Sequence, residues 1–145
     1  MELILAYNLA VTDCIFCKIV AGEIPSHKIY EDDKTFAFLD IRANNPGHTL
    51  VVPKEHHRNI FDLPPELIQA VGESSQRIAK ALTDSGLAEG INVISNNEKA
   101  AGQLVFHSHT HVIPRLENDG FKHWPGKEYE PGEAESVAEK IKNAL

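Results

Sequence analysis

Three histidines alternate in Gln103-Leu104-Val105-Phe106-His107-Ser108-His109-Thr110-His111-Val112-Ile113-Pro114. The Val, Phe, Thr and Ile around them favour a β-strand, whose period of two would send His107, His109 and His111 to one face. Three imidazoles in a row are costly to bury, because every ring nitrogen must find a hydrogen-bond partner, a proton or a metal. Three roles are open to such a face. Strand histidines two apart bind zinc in several enzyme classes, a neutral imidazole flanked by proton-transfer partners is a nucleophile, and the row could be structural polarity alone. A second group, Cys14-x-x-Cys17, lies far upstream. Two thiols at that spacing suit half of a metal site or a redox dithiol, although the latter lacks its usual βαβ setting. Asp40, between Leu39 and Ile41, is a carboxylate that needs partners wherever it is buried.

The elements that must position these groups follow from periodicity. Apolar residues at Ile15, Phe16, Ile19 and Val20 predict one or two helical turns ended by Gly22. Lys28–Glu31 and Thr35–Ile41, around Asp32-Asp33, read as a β-hairpin. Asn44-Asn45-Pro46-Gly47 is a turn, and His48–Pro53 a third strand rich in branched residues. Short links favour antiparallel pairing. Pro64 and Pro65 open the longest helix, striped by Leu67, Val71, Ile78 and Leu82 and ended by Gly86. That helix faces the core and has no chemistry of its own. Gly90–Ser95 is a strand, and the polar loop Asn96–Gly102 turns back from it, as a hairpin, to the histidine row. Trp124, in a Pro/Gly segment unsuited to a core strand, points to an exposed interface. Val137, Ile141 and Leu145, with acids early and lysines late, predict a surface helix over 133–145.

A chain of 145 residues that is 42% hydrophobic and 24% charged is one soluble globular domain. Its formal charge of −7 excludes a sequence-independent nucleic-acid binder, which needs a basic face. A small anion remains acceptable, since imidazoles and backbone N–H groups can hold phosphate on an acidic protein. Residues 1–12 are apolar but carry Glu2 where a signal peptide is basic. They are also too few to span a membrane and read as an extra strand or a frayed tail. The expected address is cytoplasmic, where reduced thiols favour a metal pair or redox dithiol over a disulfide.

The His-x-His-x-His row followed by Val112-Ile113 resembles the histidine triad family. Ile15-Phe16-x-Lys18-Ile19, Ile24-Pro25, Phe38-x-Asp40-Ile41, Gly47-His48, Val51-Val52-Pro53-Lys54-x-His56, Asn96, Gly102-Gln103 and His123-Trp124-Pro125 are similar to its nucleotide-binding, phosphoramidase branch. The likeness runs collinearly over roughly residues 13–126, which sets off an N-terminal extension, 1–12, and a C-terminal one, 127–145. Ser108 and Thr110 are polar where the pattern is usually apolar, and Leu104 stands where animal members carry a phosphate-touching serine.

The resemblance implies an α+β fold, a five-stranded antiparallel sheet with one long helix, doubled into ten strands by a homodimer. It implies a hydrolase in which His109 attacks the α-phosphorus of a purine nucleotide, giving a nucleotidyl-histidine that water hydrolyses. His111 would contact the phosphate and protonate the leaving group, His48 would hold His109 in its reactive tautomer, and Gln103 with the Gly102 loop would steady the phosphoryl oxygens. Ile15, Phe16, Ile19, Phe38 and Ile41, each ordinary core by itself, become a purine pocket. Asp40 becomes a ribose ligand, with Asn96 and Leu104 also on the nucleotide. Trp124 would reach the partner's active site. Bacterial members with the Cys-x-x-Cys pair imply a structural zinc on Cys14, Cys17, His56 and His107, while catalysis needs no metal. His27 and His57 read as solvent-exposed. AMP or GMP conjugates are the implied substrates. Two other functions are a dinucleoside polyphosphate hydrolase and a zinc-stabilised nucleotide-binding interaction protein with incidental hydrolysis.

Overall fold

A computed structural model describes residues 13–145; the expectation for residues 1–12 falls outside the described residues. Helix α1, Ile15–Val20, leads into strands β1, Lys28–Glu31, β2, Thr35–Leu39, and β3, Thr49–Pro53. Helix α2, Pro65–Asp84, is followed by β4, Gly90–Ile94, a short 3-10 turn at Lys99–Ala101, β5, Thr110–Arg115, and helix α3, Glu133–Lys142. The five strands form one sheet in the order β1-β2-β3-β5-β4, and every neighbouring pair is antiparallel. The α+β architecture matches the expectation.

The sheet is apolar on both faces, which is why β2 and β3 read as continuous hydrophobic runs rather than alternating ones. Phe36, Phe38, Leu50 and Val52 pack with Phe16 and Ile19 of α1 on one side. Ala37, Val51 and Val112 meet Val71, Ile78 and Leu82 of α2 on the other. The stripe predicted on α2 is therefore the buried one. Gly47 sits at φ +98°, where a Cβ would stand 2.8 Å from Leu82 Cδ2, so only glycine lets the turn before β3 touch the helix. The hairpin turn is closed by Asp32, whose Oδ1 accepts the amides of Lys34 and Thr35 at 2.9 and 2.7 Å.

Two strands fall short of expectation by more than one residue. β2 stops at Leu39 because Asp40 turns its carboxylate to the Arg42 amide, 2.8 Å away, and bends the chain. The histidine strand begins only at Thr110, so the expectation of one strand over 103–114 is corrected. The amide of Ser108 donates to the His57 carbonyl at 2.6 Å, and the Gln103 side chain donates to Val105 O at 3.1 Å. The Ser108 amide and the Val105 carbonyl thus find partners outside any ladder. Helix α3 has no buried residue. Among the described residues, no helix is long and apolar enough to cross a membrane.

Candidate active site and metal centre

Freed from a strand's strict alternation, the three histidines point to three different surroundings. His107 is fully buried and its Nε2 lies 2.8 Å from the Pro53 carbonyl. A carbonyl only accepts, so Nε2 carries the proton and Nδ1 presents a lone pair. That Nδ1 faces Cys14 Sγ at 3.4 Å and Cys17 Sγ at 3.5 Å, and His56 Nδ1 lies 3.3 Å from Cys17 Sγ. These four donor atoms lie within 4.8 Å of one another. Tetrahedral zinc with thiolate and imidazole ligands places S and N roughly 3.5 Å apart, so the residues expected to hold zinc fit it. The Pro53 carbonyl supplies the outer hydrogen bond that such a ligand needs. Burial, then the neighbouring Cys14, pushes the Cys17 thiol up to about 12, so without a metal the Cys17 thiol stays protonated.

His109 is buried, with its ring edge-on to Phe16 at 5.1 Å. Its Nδ1 is 2.7 Å from the His107 carbonyl, which fixes Nδ1 as the protonated nitrogen and leaves Nε2 a free lone pair. His111, on β5, is 5.1 Å from His109 between ring centres. Its Nδ1 meets His48 Nε2 at 2.9 Å. His48 Nδ1 accepts the Asn44 amide at 3.2 Å, so His48 Nε2 donates and His111 keeps its own proton on Nε2. The register pairing Leu50 with His111 brings these rings together. His48 therefore orients His111, and the expectation that it holds His109 is corrected: the His107 carbonyl does that. Asp40 Oδ2 lies 3.7 Å from His48 Nε2.

Burial first lowers the pKa of all four imidazoles, His107 and His111 to about 4. The Asp40 charge opposes this at His48, His109 and His111. Near neutral pH the site therefore holds uncharged imidazoles with defined tautomers. An anion brought beside them would raise those pKa values.

A cleft of about 370 Å³ opens onto His109 and His111. Ile15, Phe16, Ile19, Phe38, Asp40, Ile41, Asn96, Gly102 and Leu104, the residues expected around a nucleotide, line it together. Ile41 and Leu104 are almost wholly exposed on its rim. Pro25, Ser26, Leu39, Arg42, Leu50 and Val105 also line it; apart from Pro25, which belongs to the family likeness, they carried no signal in the sequence beyond ordinary loop or strand character. Gln103 departs from expectation. Its side chain is buried, with Nε2 donating to Arg58 O at 2.7 Å and Oε1 accepting from Glu98 N at 2.8 Å, so it has no free group for a phosphate. Trp124 is exposed and lines a separate hollow with Asn92, Ile113 and Lys122. His57 is not solvent-exposed: it is half-buried against Glu55 at 3.0 Å.

Residues 21–118 match the model of the HIT domain. The chain belongs to the HIT family. Protein hit of Bacillus subtilis is 42% identical over 137 residues, covering 92% of this HIT chain and 94% of the relative. An adenosine 5′-monophosphoramidase of Saccharomyces cerevisiae is 42% identical, covering 79% of this chain and 72% of its own. A zinc-bound histidine triad family protein of Mycobacterium smegmatis superposes with a TM-score of 0.75 at 37% identity, covering 93% and 99% of the two chains. The HIT fold and the four-donor cluster thus occur together in this chain and have a zinc-bound neighbour.

Proposed function

We propose that the protein hydrolyses purine nucleoside phosphoramidates, or related conjugates of a nucleoside 5′-phosphate, through a nucleotidyl intermediate on His109. The observation that carries this reading is the 2.7 Å contact from His109 Nδ1 to the His107 carbonyl, which leaves Nε2 unprotonated in the cleft. In the first step Nε2 attacks the α-phosphorus, and the bond from phosphorus to the leaving nitrogen or oxygen breaks with its electron pair. His111 donates from Nε2 to a phosphoryl oxygen. With its pKa raised by the bound phosphate, His111 takes a second proton from solvent as substrate binds, and it passes a proton to the departing group and returns to the neutral form. In the second step water attacks phosphorus and gives its proton to His111, the P–Nε2 bond breaks with its electron pair returning to His109, and the nucleoside monophosphate leaves. Imidazole suits both steps, being nucleophilic when neutral and a tolerable leaving group near its ordinary pKa of about 6.5.

The apolar walls of Phe16, Ile19 and Phe38 suit a purine ring, and Asp40 a ribose diol. The yeast relative's activity on an adenosine 5′-phosphoramidate supports the adenosine side. Cys14, Cys17, His56 and His107 would hold a structural zinc, which with four protein ligands supplies folding energy rather than catalysis. Residues 13–126 act as the catalytic domain in this reading. Two copies pair through β4, an edge strand that carries the exposed Val93 near the exposed Ile68, since unpaired edges and apolar patches are normally covered. Sedimentation of the 16.1 kDa chain as a monomer would contradict that pairing.

The function is tested by turnover of adenosine 5′-phosphoramidate. Wild-type protein should release AMP, and His109→Ala should lose at least about a thousandfold in kcat while keeping its fold. Tight AMP binding without turnover of phosphoramidates, dinucleoside polyphosphates or acyl-adenylates would instead make the protein a nucleotide-binding module.

A further inference from the structure

Glu98 is the single non-glycine residue at positive φ among the described residues. Its backbone, at φ 73° and ψ 163°, occupies a region essentially reserved for glycine. A carboxylate stands there nonetheless, and its contacts account for its presence. Oε1 accepts from Arg58 Nε at 2.8 Å and from Asn59 Nδ2 at 2.7 Å, and Oε2 accepts from Arg58 Nη2 at 2.9 Å. The two Arg58 contacts form a bidentate fork, the strongest and most directional ion-pair geometry available to a carboxylate. The Glu98 amide donates to Gln103 Oε1 at 2.8 Å, and Gln103 Nε2 donates onward to Arg58 O at 2.7 Å. Arg58 also stacks over Phe106 at 4.2 Å.

These contacts join the loop that leaves β3 to the loop that carries His107 and His109. The Ser108 amide, between the two histidines, is held in the same seam by the His57 carbonyl at 2.6 Å. Glu98 is absent from the cleft wall, whereas Asn96 and Gly102 on either side of it line the cleft. Arg58, then Asn59, holds the Glu98 carboxyl down at about 2, so the clamp stays charged at neutral pH.

We propose that Glu98 is a positioning residue: held in a backbone conformation that favours glycine, its carboxylate clamps the two loops so that the His107 carbonyl and the cleft-lining Asn96 and Gly102 are preset for the phosphoryl group. The proposal deepens the hydrolytic reading above and rests on it for its kinetic consequence. Its structural consequence, a single tautomer at His109, is independent of turnover.

Two variants separate positioning from folding. Glu98→Gly relaxes the backbone and deletes the clamp; Glu98→Gln keeps an oxygen for Asn59 and Arg58 but removes the charge. Glu98→Gly should retain the wild-type thermal midpoint within a few degrees and bind AMP within about threefold, while kcat on adenosine 5′-phosphoramidate falls about thirtyfold. Glu98→Gln should recover most of that loss. Nitrogen NMR of the His109 ring should show one tautomer in the wild type and a mixture in Glu98→Gly. Wild-type kcat in Glu98→Gly would overturn the proposal. So would a parallel loss of turnover, AMP affinity and thermal stability, which would make Glu98 a folding residue only. If the wild type itself hydrolyses nothing, the hydrolytic reading fails, and the His109 tautomer alone decides: a mixture in Glu98→Gly supports the clamp and an unchanged single tautomer overturns it.

Discussion

His107 faces Cys14 and Cys17 with its ring and holds His109 with its carbonyl, 2.7 Å from the neighbouring Nδ1. One residue therefore links the candidate metal centre to the candidate nucleophile without itself entering the cleft.

That link makes the metal a stability matter with a catalytic consequence. Purified protein should hold about one zinc per chain, and Cys17→Ser should hold almost none. Because ligand binding free energy becomes folding free energy, the variant should lose more than about 4 kcal/mol of unfolding free energy. Metal analysis and chemical denaturation check this together. Wild-type protein without metal, and as stable as Cys17→Ser, would contradict the assignment.

The contact between His48 Nε2 and His111 Nδ1, 2.9 Å, predicts that these two residues act as a unit. His48→Ala and His111→Ala should each lower kcat about a hundredfold, and the double variant by little more than either alone. A double-mutant cycle in steady-state kinetics measures the coupling. Additive losses would mean that His48 serves some other group.

Burial first, and then His109 and His48, lowers the His111 pKa to about 4. Between that value and the ordinary 6.5 the unfolded chain binds a proton that the folded chain refuses. The associated stability is complete above about pH 6.5 and is lost as pH falls toward 4. Wild-type unfolding free energy should therefore decline over that window more steeply than that of His111→Asn. The difference should be on the order of 1 kcal/mol once solvent screening at the partly exposed ring is allowed for. Denaturation series of the two proteins provide the comparison, and parallel slopes would place the ring's titration elsewhere.

The sheet and the long helix were legible because periodicity and turn chemistry report burial directly, whereas most of the cleft wall was legible only through the family resemblance. Leu67, Val71, Ile78 and Leu82 fall at helical spacing and are buried together. The surroundings of individual histidines were not legible in the same way. His48 reaches His111 only because β3 and β5 pair in the register that sets Leu50 against His111, which no local pattern specifies. The strand expected from residue 103 fails because His57 and the Gln103 side chain satisfy the backbone first, a tertiary override of β-propensity. Gln103 has the residue type of a phosphate ligand, yet its amide is spent on Arg58, Val105 and Glu98. Glu98 carried no signal at all, since an exceptional backbone conformation leaves no trace in residue type when the residue is not glycine.

The covalent intermediate is the central claim, and rapid alkaline quenching, which preserves the acid-labile P–N bond, followed by peptide mass analysis at alkaline pH tests it most directly. Protein mixed with adenosine 5′-phosphoramidate and quenched during turnover should yield a peptide carrying an adenylyl group on His109, absent from His109→Ala. Turnover at a normal rate with no adduct on any histidine, or with the adduct on His111 or His48, would contradict the account.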